Sequence, residues 1–165
     1  MNKIFLHVGY PKTGTTAIQN FLYNNRDKLL KKNVLYPSTG ILNNAHHEFA
    51  NSFLSIDYPQ TKLIPRSGLT VLQDSFAEEA KKTNIDYIII SSEFFNLLYF
   101  ENDIRIINNI KSFFEDYNVT TILYIRHPIY YLESSYSQEI KNSCLRYPVR
   151  FENHKKKFLE RKGLD

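Results

Sequence analysis

The stretch LHVGYPKTGTT, residues 6–16, decides how the chain folds. The apolar run 3–6 leads into it, and its β-prone residues predict a buried strand. Apolar residues then recur at helical spacing over residues 17–30, which predicts a helix that begins near Thr15 and ends near Lys32. A strand, a tight loop with two glycines and a helix N-terminus are together typical of an anion site, because backbone N–H groups converge there and the helix dipole adds positive charge.

The loop differs from the ATP-type P-loop, Gly-x-x-x-x-Gly-Lys-Ser/Thr, in which a lysine directly follows the second glycine. Gly9 and Gly14 have the required separation, but Thr15 stands at the lysine position and Lys12 lies inside the loop. This displacement argues against magnesium-dependent nucleotide hydrolysis. It favours a donor whose transferred group is held by one cation and by backbone N–H groups.

The composition predicts a single globular domain over residues 1–165 that binds an anion. Hydrophobic residues make up 42% of the chain and aromatic residues 15%, which excludes a disordered protein. The net charge of +4 fits an anionic ligand. No dense Arg/Lys stripe with interleaved aromatic residues is visible, so no nucleic-acid partner is predicted.

The sequence also predicts a cytoplasmic protein without a membrane partner. It shows no signal-peptide pattern, and no apolar run approaches the length that spans a bilayer. The single cysteine, Cys144, excludes an internal disulfide and is typical of a reducing compartment. Cys144 is expected to pack on a helix and not to act as a nucleophile.

Strands alternate with helices along the chain, and this alternation predicts a three-layer α/β/α fold with a central parallel sheet. The strands are expected at residues 3–6, 34–36, 85–90 and 119–125. The third is β-branched and almost entirely apolar, so it should be central and covered on both faces. Further helices are expected over residues 46–54, 69–82, 104–114, 128–144 and 150–162. Pro128 should occupy the first position of its helix, where a missing N–H costs nothing.

Polar residues follow the carboxyl ends of three of these strands. The loop 9–16 follows the first strand, Ser91-Ser92-Glu93 the third and Arg126-His127 the fourth. Ligands of parallel sheets bind beyond the carboxyl ends of the strands, so we expect these residues to converge on one site. His7, inside the first strand, is expected to support the loop from the core.

The hexapeptide PKTGTT, Pro11 to Thr16, resembles the 5′-phosphosulfate-binding loop of sulfotransferases that use 3′-phosphoadenylyl sulfate (PAPS). That loop is usually Pro-Lys-Ser/Thr-Gly-Thr-Thr between a strand and a helix. Arg126, Ser134 and Tyr136 are similar to the segment that binds the 3′-phosphate in the same family, where a serine lies eight residues after a strand-end arginine. That separation is about two helical turns, so an arginine fork and a serine hydroxyl can reach one anion. The resemblance covers roughly residues 3–144.

The resemblance implies a P-loop NTPase-like fold and a metal-free transfer of a sulfuryl group from PAPS to a hydroxyl or amine. The acceptor would be a small molecule or a saccharide, and 3′,5′-ADP would leave. The residues expected to bind PAPS are Pro11, Lys12, Thr13, Gly14, Thr15, Thr16, Arg126 and Ser134.

Four residues are candidates for the chemical step itself. Lys12 is expected at the bridging oxygen, where negative charge develops. Glu93 is the first candidate for the base that takes the acceptor's proton, and His47 or His46 is the second. A structural role stays open for each base candidate: Glu93 as a helix cap or ion-pair partner, the histidine pair as core residues.

The same resemblance implies a C-terminal part with a Gly-rich basic loop over the 3′-phosphate and adenine. In this chain no segment after Pro148 clearly supplies such a loop, and the basic residues of 155–157 and 161–163 are at most a remnant of it. Two alternatives therefore stay open: a truncated, non-catalytic domain that binds PAPS or 3′,5′-ADP, and a nucleotide kinase with an altered P-loop. Thr15 at the lysine position, and the absence of a Walker-type Asp after the third strand, disfavour the kinase.

Overall fold

The computed structural model describes residues 2–59, 61–81, 84–98, 103–142 and 150–162. The chain divides into two compact units, Met1–Tyr124 and Ile125–Asp165, here called the first and second unit. The single domain over residues 1–165 stays a prediction.

The first unit alternates strands and helices in the predicted order. Its strands are β1 (Lys3–Val8), β2 (Val34–Leu35), β3 (Tyr87–Ser92) and β4 (Asn118–Ile122). Its α-helices are α1 (Thr15–Asn24), α2 (Arg26–Leu30), α3 (His47–Phe53), α4 (Leu69–Ala80) and α5 (Ile104–Phe113). A 3₁₀ helix over Glu93–Leu97 directly follows β3.

The helix predicted over residues 15–32 is two helices, and Asn25 separates them. Asn25 leaves the helical conformation with φ −112° and ψ 15°. The Phe21 carbonyl accepts two hydrogen bonds from this residue, one from its backbone N–H at 3.2 Å and one from its side-chain amide at 2.8 Å. The prediction of one continuous helix was wrong because a local side-chain bond of this kind does not disturb the apolar periodicity.

The four strands form an all-parallel sheet in the order β2-β3-β1-β4. The prediction of a mixed α/β protein with a parallel sheet is confirmed. The connection that leaves β1 passes β3 to reach β2, whereas the connection that leaves β3 passes β1 to reach β4. Because parallel crossovers are right-handed, connections in opposite directions lie on opposite faces of the sheet. The topology is therefore consistent with three layers.

One face of the sheet packs on an aromatic core. Ile88 and Ile90 of β3 are fully buried and lie opposite Ile4 and Leu6 of β1. Phe49 of α3, also fully buried, joins the helices of this face, since its ring centroid lies 5.8 Å from that of Phe76 in α4 and 5.2 Å from that of Phe113 in α5. β3 is an inner strand, as predicted, although it begins and ends two residues later than expected.

The second unit consists of α6 (Pro128–Asn142) and α7 (Phe151–Lys162). Pro128 is the first residue of α6, as predicted. The Tyr136 ring meets the Phe151 ring edge-on at 5.1 Å between centroids. His154 of α7 hydrogen-bonds to Ser135 at 2.9 Å and pairs with the Glu139 carboxylate. These contacts join α6 to α7.

The predicted packing of Cys144 and the predicted helix end at Lys82 lie outside the described residues. Among the helices that the structure describes, none has the length and apolar character needed to cross a bilayer.

Candidate functional site

The carboxyl ends of β1 and β3 lie side by side inside the sheet. Val8 stands opposite Ser92, and the next residue, Gly9, donates its N–H to the Ser92 carbonyl at 3.3 Å. The two strands lead into connections that run in opposite directions. This is a topological switch point, where open α/β sheets bind their ligands. The predicted anion loop directly follows β1 at this point, and Glu93 directly follows β3.

The loop between β1 and α1 has a left-handed backbone at two positions. The φ angle is 68° at Lys12 and 87° at Gly14. This conformation is ordinary for glycine but uncommon for lysine, because the Cβ atom crowds the following carbonyl. The Thr13 hydroxyl donates to the Tyr10 carbonyl at 2.6 Å and closes the turn around Lys12. Turns of this kind direct successive N–H groups toward one side and so form concave anion sites.

The first N–H groups of α1 and of the residues before it have no partner within the described residues. Those of Thr13, Gly14, Thr15 and Thr16 donate no hydrogen bond there, whereas Ala17 and Ile18 donate to the Gly14 carbonyl at 3.0 and 3.3 Å. No side chain caps this helix end, and its first turn contains no acidic residue. Unpaired donors and the positive end of the helix dipole favour a bound anion here.

Gly9 allows the backbone of the loop to pass close to the end of β3. A Cβ atom at Gly9 would lie 2.4 Å from the Thr15 methyl carbon and 3.2 Å from the Glu93 Cα atom. Real Cβ atoms do not approach other atoms as closely as the first of these distances. A glycine at this position therefore brings Thr15 and Glu93 together.

Thr15 and Glu93, two of the predicted site residues, are hydrogen-bonded to each other. The buried Thr15 hydroxyl donates to Glu93 Oε2 at 2.9 Å. Ser92, and not Glu93, caps the 3₁₀ helix, because its hydroxyl oxygen accepts the Phe94 N–H at 3.2 Å. The Glu93 carboxylate is thus directed at the first residue of α1. The Thr15 hydroxyl, predicted to donate to a phosphosulfate group, gives its hydrogen to Glu93 in this structure.

Three histidines surround the serine pair at the end of β3. His7 Nδ1 lies 2.8 Å from Ser91 Oγ, His46 Nδ1 accepts the Ser91 N–H at 3.1 Å, and His47 Nδ1 lies 2.9 Å from Ser92 Oγ. His7 is buried beside the loop, as predicted. The serines' role as histidine partners was missed from the sequence, although two serines directly after an apolar strand are a usable signal.

His46 is a structural residue. Its Nδ1 accepts the Ser91 N–H, so its Nε2 carries the hydrogen and donates to the Pro37 carbonyl at 3.0 Å. It is fully buried, and this burial lowers the pKa of His46 to about 4. Because both ring nitrogens are already bonded to the backbone, His46 is not available to take a proton from an acceptor.

His47 lies next to Glu93. Its ring packs against Phe94 with 4.3 Å between centroids. Burial lowers the pKa of His47, and the nearby Glu93 carboxylate opposes this shift only in part. His47 is therefore neutral near pH 7. Unlike His46, whose two ring nitrogens both form hydrogen bonds to the backbone, His47 forms its ring hydrogen bond with the Ser92 hydroxyl.

The burial of neutral His46 makes the stability of the protein depend on pH. The unfolded chain binds this proton below its ordinary pKa of about 6.5, but the folded chain binds it only below about 4, so unfolding takes up a proton between these values. Stability is therefore present above this window and is lost as the pH falls through it. His46 alone is expected to lower the free energy of unfolding by about 2 kcal/mol between pH 7 and pH 5, and the lowered pKa values of buried His7 and His47 act in the same direction.

Urea unfolding at pH 7, 6 and 5 measures this dependence. Equal stability at pH 7 and pH 5 would contradict the assignment of His46 as a buried neutral residue.

Arg126 and Ser134 belong to the second unit. Arg126 is exposed and lies just before α6, and Ser134 is half-buried in that helix. Tyr136 packs against Phe151 and His154. The role of Arg126 and Ser134 at a 3′-phosphate stays a prediction.

In the part of the chain that the structure describes, no group of three His, Cys, Asp or Glu side chains is placed to hold a metal ion. No protein-family model, curated protein or solved structure matches this chain.

Proposed function

We propose that the chain is a sulfotransferase with a P-loop NTPase-like fold, which moves a sulfuryl group from PAPS to an acceptor hydroxyl or amine. The acceptor would be a small molecule or a saccharide. The observation that carries the proposal is the 2.9 Å hydrogen bond between Thr15 and Glu93. It joins the anion loop to a carboxylate at the neighbouring strand end, so the loop that would bind the donor and the carboxylate that would act as the base lie next to each other.

The loop would hold the phosphosulfate group of PAPS. The unpaired N–H groups of residues 13–16 supply donors for its oxygens, and the Lys12 ammonium supplies a positive charge. As the acceptor attacks sulfur, the bond from sulfur to the bridging oxygen breaks and negative charge collects on that oxygen. A fixed cation beside it stabilises the transition state more than the ground state.

Glu93 would take the proton that the acceptor loses. Thr15 bonds to Oε2, and no described residue bonds to Oε1, so one carboxylate oxygen is left for the acceptor. The bond from Thr15 also fixes the orientation of the carboxylate, which general-base catalysis requires. Arg126 and Ser134 would bind the 3′-phosphate of PAPS, and this part of the proposal depends on the resemblance.

Calorimetric titration with 3′,5′-ADP tests the nucleotide site. We expect 3′,5′-ADP to bind about tenfold or more tightly than 5′-AMP, because a charge-assisted bond from Arg126 to the extra phosphate contributes about 1.5–3 kcal/mol. Arg126→Ala should remove this preference, and ATP with magnesium is the control ligand.

The other outcomes of this titration identify the alternatives. Binding of ATP–magnesium in place of 3′,5′-ADP would favour the kinase. Binding of 3′,5′-ADP and PAPS without transfer to any acceptor would favour the non-catalytic domain.

A further inference from the structure

The hydroxyl of Ser92 determines which nitrogen of His47 carries the hydrogen. Ser92 is fully buried, and its Oγ lies 3.2 Å from the Phe94 N–H and 2.9 Å from His47 Nδ1. A backbone N–H only donates, so Oγ accepts that bond. Among the described residues, His47 Nδ1 is then the acceptor for the hydroxyl hydrogen of Ser92. If neutral His47 carried its hydrogen on Nδ1, Oγ could accept it, but the buried hydroxyl hydrogen of Ser92 would then have no acceptor among the described residues, so the tautomer with the hydrogen on Nε2 is favoured.

His47 is 8% exposed, and its Nε2 atom is the ring nitrogen that can meet a ligand near Glu93. This Nε2 atom has no hydrogen-bond partner within the described residues. It is also not one of the fully buried unpaired atoms of those residues, which are His7 Nε2, Gln19 Nε2 and Asn51 Oδ1. The chain continues from Ser92 directly to Glu93, whose carboxylate is close enough to act on the charge of the ring. A fixed donor and a carboxylate acceptor thus lie next to each other.

We propose that Ser92 is a positioning residue that fixes His47 as a hydrogen-bond donor, and that this donor and Glu93 together select hydroxyl acceptors over amines. The inference rests on the proposed sulfuryl transfer. It narrows the acceptor class, and it makes His47 a group that binds the acceptor instead of a second base.

The selection follows from the number of lone pairs on the attacking atom. A hydroxyl oxygen has two: one accepts from His47 Nε2–H while the other forms the bond to sulfur, and the hydroxyl hydrogen passes to Glu93. The bond from sulfur to the bridging oxygen breaks, so the products are a sulfate ester and 3′,5′-ADP. A neutral amine has one lone pair, which the same donor would occupy, and an ammonium ion has none.

Nitrogen NMR of the ¹⁵N-labelled chain tests the role of Ser92 without any need for turnover. At pH 7 we expect His47 to show an unprotonated Nδ1 and a protonated Nε2. Ser92→Ala should remove this preference, and Ser92→Thr, which restores a hydroxyl, should recover it. Ser91→Ala is the matched control, because this neighbouring buried serine bonds to His7 instead. A protonated Nδ1 in the unmodified chain would overturn the inference.

Product analysis tests the acceptor class. With PAPS and glucosamine, which carries hydroxyls and an amine in one molecule, we expect sulfate ester in about tenfold or greater excess over sulfamate, the factor that one hydrogen bond of about 1.4 kcal/mol supplies. Ser92→Ala should reduce this ratio more than Ser91→Ala does. Sulfamate as the main product would overturn the selection. Absence of transfer to glucosamine and to every other hydroxyl or amine acceptor would overturn the proposed function, while the NMR result would still decide the assignment of His47.

Discussion

Lys12→Ala is expected to lower the rate of sulfuryl transfer by about 10²- to 10³-fold, the loss typical of removing one donor from a site that stabilises developing charge. The affinity for 3′,5′-ADP should fall much less. 3′,5′-ADP carries this charge on its 5′-phosphate, so the loss of Lys12 weakens its binding too, but only in part, because the N–H groups of residues 13–16 would still hold the phosphate. Single-turnover rates with PAPS, together with calorimetry of 3′,5′-ADP, separate the two effects.

The left-handed backbone of Lys12 supplies an unusual control for this prediction. Alanine at φ 68° keeps the strain of the native loop, whereas glycine adopts this conformation readily. If the loss belongs to the missing ammonium group, Lys12→Gly and Lys12→Ala should be impaired to the same degree. A rate restored in Lys12→Gly would assign the effect to the shape of the loop. Lys28→Ala, which removes an exposed lysine of α2, should keep the full rate.

The strained position of Lys12 supports the proposed role of the loop independently of its charge. A left-handed lysine costs about 1–2 kcal/mol, and proteins keep such residues where the surrounding structure holds them for a purpose. Here the Thr13 hydroxyl closes the turn, and Gly9 lets the same loop pack against Glu93. The loop is thus held from both ends before any ligand arrives, which is the condition for catalysis by fixed charges.

Much of this arrangement follows from local sequence pattern. The alternation of strand and helix periods was enough to predict the parallel sheet. The polar residues after the strand ends were enough to predict that the loop 9–16 and Glu93 lie close together. The helix break at Asn25 could not be predicted in this way, because the apolar helical spacing continues past the residue where the backbone leaves the helical conformation. The strand order β2-β3-β1-β4 could not be predicted from the sequence either. The rule that parallel crossovers are right-handed limits the possible strand orders but does not select one of them.

The histidines show where such reasoning reaches its limit. His46 and His47 are adjacent in sequence and equally plausible as bases, but one bonds to the Ser91 backbone and the other to the Ser92 hydroxyl. Each of these partners lies 45 residues away in the chain. Only packing decides that both nitrogens of His46 bond to the backbone while His47 bonds to a side chain, so no periodicity or spacing could have separated a structural histidine from one beside the site.

Glu93→Gln is expected to lower sulfuryl transfer by about 10²- to 10⁴-fold, the usual contribution of a positioned general base. Glutamine has nearly the same shape, and its amide oxygen can still accept the Thr15 hydrogen bond, so the fold and the affinity for 3′,5′-ADP should be retained. The measurement is the single-turnover rate with a hydroxyl acceptor, compared with calorimetry of 3′,5′-ADP. Glu115→Gln, which neutralises an exposed carboxylate after α5, is the control and should keep the full rate.

An unchanged rate in Glu93→Gln would mean that the proton leaves by another route. His47 is the nearest group that could then accept it, but only with Nε2 unprotonated. That state requires the hydrogen of His47 to move to Nδ1. The hydroxyl hydrogen of Ser92 would then lose Nδ1 as its acceptor. Retained activity in Glu93→Gln would therefore contradict the role of Glu93 as the base, whereas the assignment of His47 as a donor is decided by the nitrogen NMR measurement.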